Sequence, residues 1–144
     1  MKKILVFSFL IMCISEVFAN SSYTYSPAYI SHLKNCSPYT DEFTVDIPTG
    51  DSTSPYLKVK SSEQIIGWLD GKCVTKNTIH SLDLNNTIMT IKCNLSKEQV
   101  SSIMEKMKSV NAEGSVEAKQ ILSDEMVRII EDGLTCKVKK YLSE

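Results

Sequence analysis

The sequence of 144 residues has little arginine, little histidine and no strong excess of charge, and each scarcity argues against a class of function. Arg128 is the single arginine, although the guanidinium fork is the usual receptor for phosphate and carboxylate groups. The 16 basic and 17 acidic residues nearly balance, whereas nucleic acids and anionic membranes attract proteins with a concentrated positive charge. We therefore predict no nucleic-acid partner.

Recognisable catalytic and metal-binding motifs are also missing. The chain has no Gly-x-Ser-x-Gly elbow and no Cys-x-x-Cys pair, and its two histidines, His32 and His80, lie far apart in the sequence. Surface or strand-end positions explain both histidines more simply than a catalytic triad or a metal site. We predict no catalytic residue, no metal and no cofactor, and favour a protein that is not an enzyme. A hydrolase using a carboxylate or His80 in a cleft stays open.

The longest hydrophobic run is short and lies at the N-terminus. Lys2 and Lys3 precede an apolar stretch at residues 4–14, and Ala19 is the small residue that a signal peptidase requires. This stretch is shorter than the roughly 20 residues that span a membrane. The pattern predicts a cleaved signal peptide at residues 1–19 and a single domain at residues 20–144. It also predicts an exported, periplasmic or secreted protein without a membrane span after cleavage.

Cysteine usage fits the same compartment. Cys13 would leave with the signal peptide, and an even number of cysteines would remain in the exported chain: Cys36, Cys73, Cys93 and Cys136. Their wide spacing differs from the close pairs that build a tetrahedral zinc site. Two disulfides are therefore predicted, although four cysteines permit three different pairings.

The clearest local structure is a β-hairpin around the single tryptophan. Asp70 and Gly71 form a two-residue turn between two runs of β-favouring residues, because both types tolerate positive φ. This turn would place Trp68 opposite Cys73, and Gly67 predicts a bulge in the first arm. We expect Trp68 to lie in the core rather than to serve as a ligand platform.

Alternating apolar residues predict further strands at residues 43–47, 56–60 and 87–95, and Ser26 followed by Pro27 predicts the start of a short helix. The period then changes from 2 to 3.6. Ser96 and Gln99 form a capping box before a helix at residues 97–110, and a second helix is predicted at residues 115–132, unless it splits near residue 122. The alternation of Leu134, Cys136 and Val138 predicts a final strand at the C-terminus, and a helix through Tyr141 is the alternative.

This order of elements predicts an α+β fold: a small, mostly antiparallel sheet with a C-terminal antiparallel helix pair on one face. One helix leads away from Cys93 and the other returns toward Cys136. If the two helices pack antiparallel, these cysteines end close together. The pairing Cys93–Cys136 is therefore favoured, which leaves Cys36 to pair with Cys73.

One pattern extends over most of the mature chain: Cys36…Gly67-Trp68-x-Asp70-Gly71-Lys72-Cys73…Cys93-Asn94-Leu95-Ser96. It resembles the pattern of small exported proteins of Gram-negative bacteria that have no assigned function. The quoted residues are structural. The resemblance implies a periplasmic location and supplies no activity.

The remaining functional candidates are surface features. Tyr23, Tyr25 and Tyr29 crowd the mature N-terminus and form a possible binding surface for proteins or sugars, unless they cover the edge of the core. The leading hypothesis is a non-enzymatic binding or accessory protein of the cell envelope, with an envelope protein or a glycan as partner. An inhibitor of the lysozyme-inhibitor type is a further alternative, which a protruding loop at residues 49–55 would support. The sequence does not indicate an oligomeric state.

Overall fold

The computed structural model describes residues 25–141. In chain order the elements are α1 (Pro27–Asn35), β1 (Tyr39–Pro48), β2 (Tyr56–Leu69), β3 (Lys72–Ser81), β4 (Asn86–Leu95), α2 (Lys97–Glu113), α3 (Val116–Glu131) and β5 (Cys136–Lys140). The predicted signal peptide at residues 1–19 lies outside the described residues. None of the described helices is both long enough and apolar enough to cross a membrane.

The five strands form one antiparallel sheet in the order β1-β2-β3-β4-β5, so the predicted α+β class is confirmed. Asp70 and Gly71 have φ angles of 50° and 73° in the predicted turn, and Trp68 lies opposite Cys73. The register shifts between Ile65 and Gly67, as a bulge requires. Each strand pairs with the strands that precede and follow it in the chain: β1 to β4 form a meander, and the two C-terminal helices connect β4 to β5.

Strand β2 is longer than predicted. The separate strand expected at residues 56–60 and the first arm of the hairpin are one strand of 14 residues. The polar residues between them do not end it, because each of them pairs with both neighbouring strands: Glu63, for example, lies opposite Asp41 on β1 and Asn77 on β3.

Both C-terminal helices begin at serine caps and pack as the predicted pair on one face of the sheet. Ser96 Oγ accepts a hydrogen bond from Gln99 N at 3.1 Å, and Gln99 Oε1 accepts one from Ser96 N at 2.8 Å. Ser115 Oγ caps α3 by accepting from Ala118 N. Helix α3 continues without a break near residue 122, and the tail is the strand β5, which pairs with β4.

Both predicted disulfides are present. Cys36–Cys73 joins the end of α1 to β3, and Cys93–Cys136 joins β4 to β5. They lie in the larger hydrophobic cluster, where the helices meet the sheet; its most deeply buried side chains include Leu33, Ile65, Ile103, Val110 and Leu122. A second, smaller cluster consists of strand residues only, with Val59, Ile79, Ile88 and Met89 at its centre.

Trp68 does not lie in the core, contrary to the expectation from sequence, and 43% of its surface is exposed. Its indole Nε1 donates a hydrogen bond to the carbonyl oxygen of Asn35 at 3.0 Å, and the Lys97 ammonium lies 5.8 Å from the ring centroid. The end of α1 leaves carbonyl groups without helical partners, and the indole satisfies one of them. The side chain therefore covers the edge of the core from outside.

Candidate functional site

A cavity of about 210 Å³ lies between the helices and the inner face of the sheet, which is the face that they cover. Its wall combines residues from both hydrophobic clusters. The sheet contributes Phe43, Val45, Ile47, Val59, Ile79, Ile91 and Leu95, and the helices contribute Tyr29, Leu33, Ile103, Met107, Leu122, Met126, Val127 and Ile130. The cavity is therefore almost entirely apolar.

The sheet that forms one wall of this cavity contains two bulges. Register shifts occur between Ile65 and Gly67 and again between Ile79 and His80, and such bulges bend a strand and increase its twist. The cavity-lining side chains of β1 and of the last turns of α3 are only half-buried. Solvent thus reaches the cavity from the side between β1 and α3.

Few polar side chains line this wall, and one pair among them is mutually satisfied. Ser61 Oγ donates a hydrogen bond to Asn77 Oδ1 at 3.1 Å across the neighbouring strands β2 and β3. Glu63 follows Ser61 on the same face of β2 and lies directly opposite Asn77. Ser61, Glu63 and Asn77 therefore form a polar strip across the apolar wall.

Glu63 is the chemically distinctive member of the strip. Its Oε2 atom is fully buried and has no hydrogen-bond partner within the described part of the chain, although the residue as a whole is only half-buried. The pKa of this carboxyl is raised to about 7, mainly by burial and in smaller part by the charge of Asp41, opposite it on β1. Buried polar groups without partners are unusual in proteins, and each needs an explanation.

The sequence contained a signal for Glu63 that the strand prediction missed. Residues 59, 61, 63 and 65 alternate with polar residues, and the inner positions read Val59, Ser61, Glu63 and Ile65. A glutamate between two apolar residues on the same face indicates a buried carboxyl. The strand prediction did not reveal this carboxyl, because residues 61–63 fall between the predicted strand at 56–60 and the predicted hairpin arm.

The expected tyrosine surface is not exposed where the structure describes it. Tyr25 and Tyr29 are only 6% and 5% exposed, because they pack into the larger cluster, and both line the cavity; Tyr23 lies outside the described residues. Asn111 holds the backbone of Tyr25 by accepting from its N–H at 2.9 Å and donating to its carbonyl oxygen at 2.7 Å. Tyr25 and Tyr29 thus form part of the cavity wall.

The two histidines lie away from the cavity wall. His32 stacks on the Tyr39 ring with centroids 4.5 Å apart, and its Nδ1 is 2.8 Å from Ser37 Oγ. His80 lies near the end of β3 at the second register shift. Over residues 25–141, no group of three or more histidine, cysteine, aspartate or glutamate side chains is placed to hold a metal ion.

Residues 49–55 form an exposed loop that is braced from within. The Oδ1 atom of Asp51 accepts hydrogen bonds from Thr53 N at 2.9 Å and from Thr53 Oγ1 at 2.8 Å. These bonds lower the pKa of Asp51. A braced, exposed loop is the kind of element that an enzyme inhibitor presents, and an inhibitor of the lysozyme-inhibitor type stays a hypothesis.

The geometry thus identifies an apolar cavity with one buried carboxyl as the candidate site. No protein-family model matches the chain, and neither a curated protein nor a solved structure matches it. The candidate function is accordingly derived from the shape and chemistry of the cavity.

Proposed function

We propose that this protein is an exported, non-enzymatic binding protein that holds a small apolar molecule between its helices and its sheet. The single observation that supports this function is the apolar cavity, which both hydrophobic clusters line and which opens between β1 and α3. Binding sites for small molecules are typically concave and apolar and contain a few polar groups that fix orientation.

The cavity volume limits the size of the ligand. At about 210 Å³ it exceeds the engineered apolar cavity of about 150 Å³ that binds benzene. It is smaller than typical drug-sized pockets, which begin at about 300 Å³. A single aromatic ring or a short alkyl chain fits. A glycan is less suitable, because its hydroxyl groups need more polar partners than this wall offers.

The two disulfides support the exported location that the proposal includes, since such bonds persist in oxidising compartments. The test is the intact mass of the protein purified from its own cells, before and after treatment with a thiol-alkylating reagent. We expect a chain that starts at Asn20 and resists alkylation. A retained leader or alkylated cysteines would contradict the export and disulfide part of the proposal.

The binding function is tested with straight-chain alcohols of six to ten carbons, which carry no charge. We expect them to raise the Tm of the wild-type protein, because a ligand that binds only the folded state stabilises it. Val127→Trp places a large ring in the cavity wall and should abolish this rise. Ile121→Trp is the matched control, because residue 121 lies on the exposed side of the same helix.

Each variant is compared with itself in the absence of alcohol, since overpacking alone costs about 1 to 3 kcal/mol. The proposal fails if no alcohol raises the Tm of the wild-type protein. It also fails if the alcohols stabilise the Val127→Trp variant as much as the Ile121→Trp control. In the first case nothing binds, and in the second the alcohols bind elsewhere.

A hydrolase is the second candidate, and Glu63 supports it. A carboxyl with a pKa near 7 beside a second carboxyl is a common feature of general acid–base sites. The test is the native phenotype of strains carrying Glu63→Gln or Asp41→Asn, with His80→Gln as a third change outside the cavity. Loss of the phenotype with unchanged binding of alcohols would favour the enzyme, and an intact phenotype would exclude catalysis by these groups.

A further inference from the structure

The chemistry of Glu63 indicates which end group a bound molecule carries. A carboxylate only accepts hydrogen bonds, and Oε2 has no donor within residues 25–141. The neighbouring hydroxyl does not supply one, because Ser61 Oγ already donates to Asn77 Oδ1. A donor from a molecule in the cavity would therefore satisfy a group that the described residues leave unsatisfied.

The surrounding charges favour a cationic donor over a neutral one. Asp41 lies directly opposite Glu63, so that two carboxyl groups adjoin at the strip. The other titratable residues of the wall are Tyr25, Tyr29 and Lys76. The side chain of Lys76 is exposed and points to the other face of the sheet, because successive strand residues face opposite sides and Asn77 faces the cavity. A cation is attracted by both carboxyl groups, whereas an anion is repelled by both.

We propose that the apolar molecule held in the cavity carries a primary amine, and that its ammonium group pairs with the Glu63 carboxylate. This inference rests on the proposed binding function and names the ligand class of the same site. An ammonium group is compact and has three donors, which suits one carboxylate and the remaining acceptor capacity of Asn77 Oδ1. The cavity has room for about seven groups of roughly 30 Å³ each, so the amine and about six carbons of an eight-carbon chain fit inside, and the end of the chain reaches the open side.

The test compares three probes that share an eight-carbon alkyl chain and differ in the end group: n-octylamine, n-octanol and n-octanoate, all below their aggregation concentrations. Calorimetric titration at pH 8 should show octylamine binding at least about tenfold more tightly than octanol, and octanoate binding most weakly. In Glu63→Gln, octylamine should lose most of its preference over octanol, because only the Asp41 carboxylate remains to attract the ammonium group. Glu42→Gln is the matched control, because this residue is an exposed glutamate on β1 that does not line the cavity, and it should keep the preference for the amine.

The same comparison at pH 5 provides an independent readout. Because the Glu63 carboxyl titrates near pH 7, it is protonated at pH 5, and the tenfold preference for the amine should shrink to about twofold or less. Equal binding of octylamine and octanol to the wild-type protein, or an unchanged preference in Glu63→Gln, would overturn the amine assignment and leave the binding function standing. If none of the three probes binds, the binding function fails and the amine assignment fails with it.

Discussion

The two faces of the sheet differ in almost every property. The inner face carries apolar side chains, both disulfides and the cavity, and three helices cover part of it. Apart from Val74, which is buried, the outer face is largely exposed and polar. On strands β3, β4 and β5 it is also basic, because these strands place lysines and no acidic residue on it: Lys72, Lys76, Lys92, Lys137 and Lys139.

This difference shows that a nearly neutral chain can still have a strongly uneven charge distribution. The balanced total charge argued against a concentrated positive charge, but the register places Lys76 opposite Lys92, and Lys92 opposite Lys137, on three neighbouring strands. Like charges directly opposite each other destabilise a sheet. Stability therefore comes from the inner face, and substitutions there should have much larger effects than substitutions on the outer face.

The largest effect is expected when a disulfide of the inner face is removed. The double variant Cys36→Ala with Cys73→Ala opens a loop with a sequence separation of 37 residues, which corresponds to about 4 kcal/mol in the chain-entropy model. Urea unfolding monitored by circular dichroism measures the loss. A loss below about 1 kcal/mol would show that the packing between α1 and β3 holds this end of the molecule without the bond.

A pair of neighbouring isoleucines compares the two environments directly. Ile65 is 1% exposed in the larger cluster, and Ile66 is 43% exposed at the bulge. Ile65→Ala should cost about 3 to 4 kcal/mol, because it leaves a cavity in the core, and Ile66→Ala should cost less than about 1 kcal/mol. Both values come from the same urea unfolding experiment. Equal losses would mean that β2 does not separate an inner from an outer environment at this point.

Much of this architecture follows from local sequence features. The Asp70-Gly71 turn, the bulge at Gly67 and the capping box of Ser96 and Gln99 were all predicted, because each depends on residues close together in the chain. The disulfide pairing also followed, because two helices joined by a short turn at Gly114 return the chain to its starting point.

The candidate site was not predictable to the same degree. The cavity is lined by side chains from four strands and three helices, which lie far apart in the sequence. Trp68 was placed wrongly for a related reason, since its exposure depends on the end of α1, which is distant in sequence. The cavity and the exposure of Trp68 therefore depend on tertiary packing, which the local sequence pattern does not determine.

The next effect in size is the pH dependence caused by Glu63. The pKa of this carboxyl is about 7 in the folded protein, above its ordinary value of 4.5, so the folded state binds its proton more tightly than the unfolded state does. Its contribution is most favourable below pH 4.5 and is lost as the pH rises through 7, by about 3 kcal/mol. Glu63→Gln should remove this loss.

Thermal unfolding of Glu63→Gln and wild type between pH 4 and pH 8 measures this difference. We expect similar Tm values at pH 4 and a higher Tm for Glu63→Gln at pH 8. The difference should grow mainly between pH 4.5 and pH 7. A constant difference across the range would show that the substitution acts through packing rather than through the charge of an inner-face carboxylate.

The smallest change in stability is expected on the outer face, where one substitution should stabilise the protein, whereas most substitutions destabilise. Lys92 lies between Lys76 and Lys137, and none of the three forms an ion pair within the described residues. Lys92→Gln relieves two repulsions and should stabilise the protein by a few tenths of a kcal/mol, by about 0.5 at most, at low salt. Lys60→Gln on the same face is the control and should destabilise slightly, because Lys60 pairs with Glu42 at 2.7 Å.

Sodium chloride separates charge from any change in strand propensity at these positions. The Debye length falls to roughly 3 Å at 1 M salt, so both the gain in Lys92→Gln and the loss in Lys60→Gln should fade when unfolding is measured at that concentration. A gain in Lys92→Gln that persists at 1 M would have another origin than lysine repulsion. A loss at low salt would mean that the row of lysines stabilises the outer face, and the contrast between the two faces would then be smaller than their burial and charges indicate.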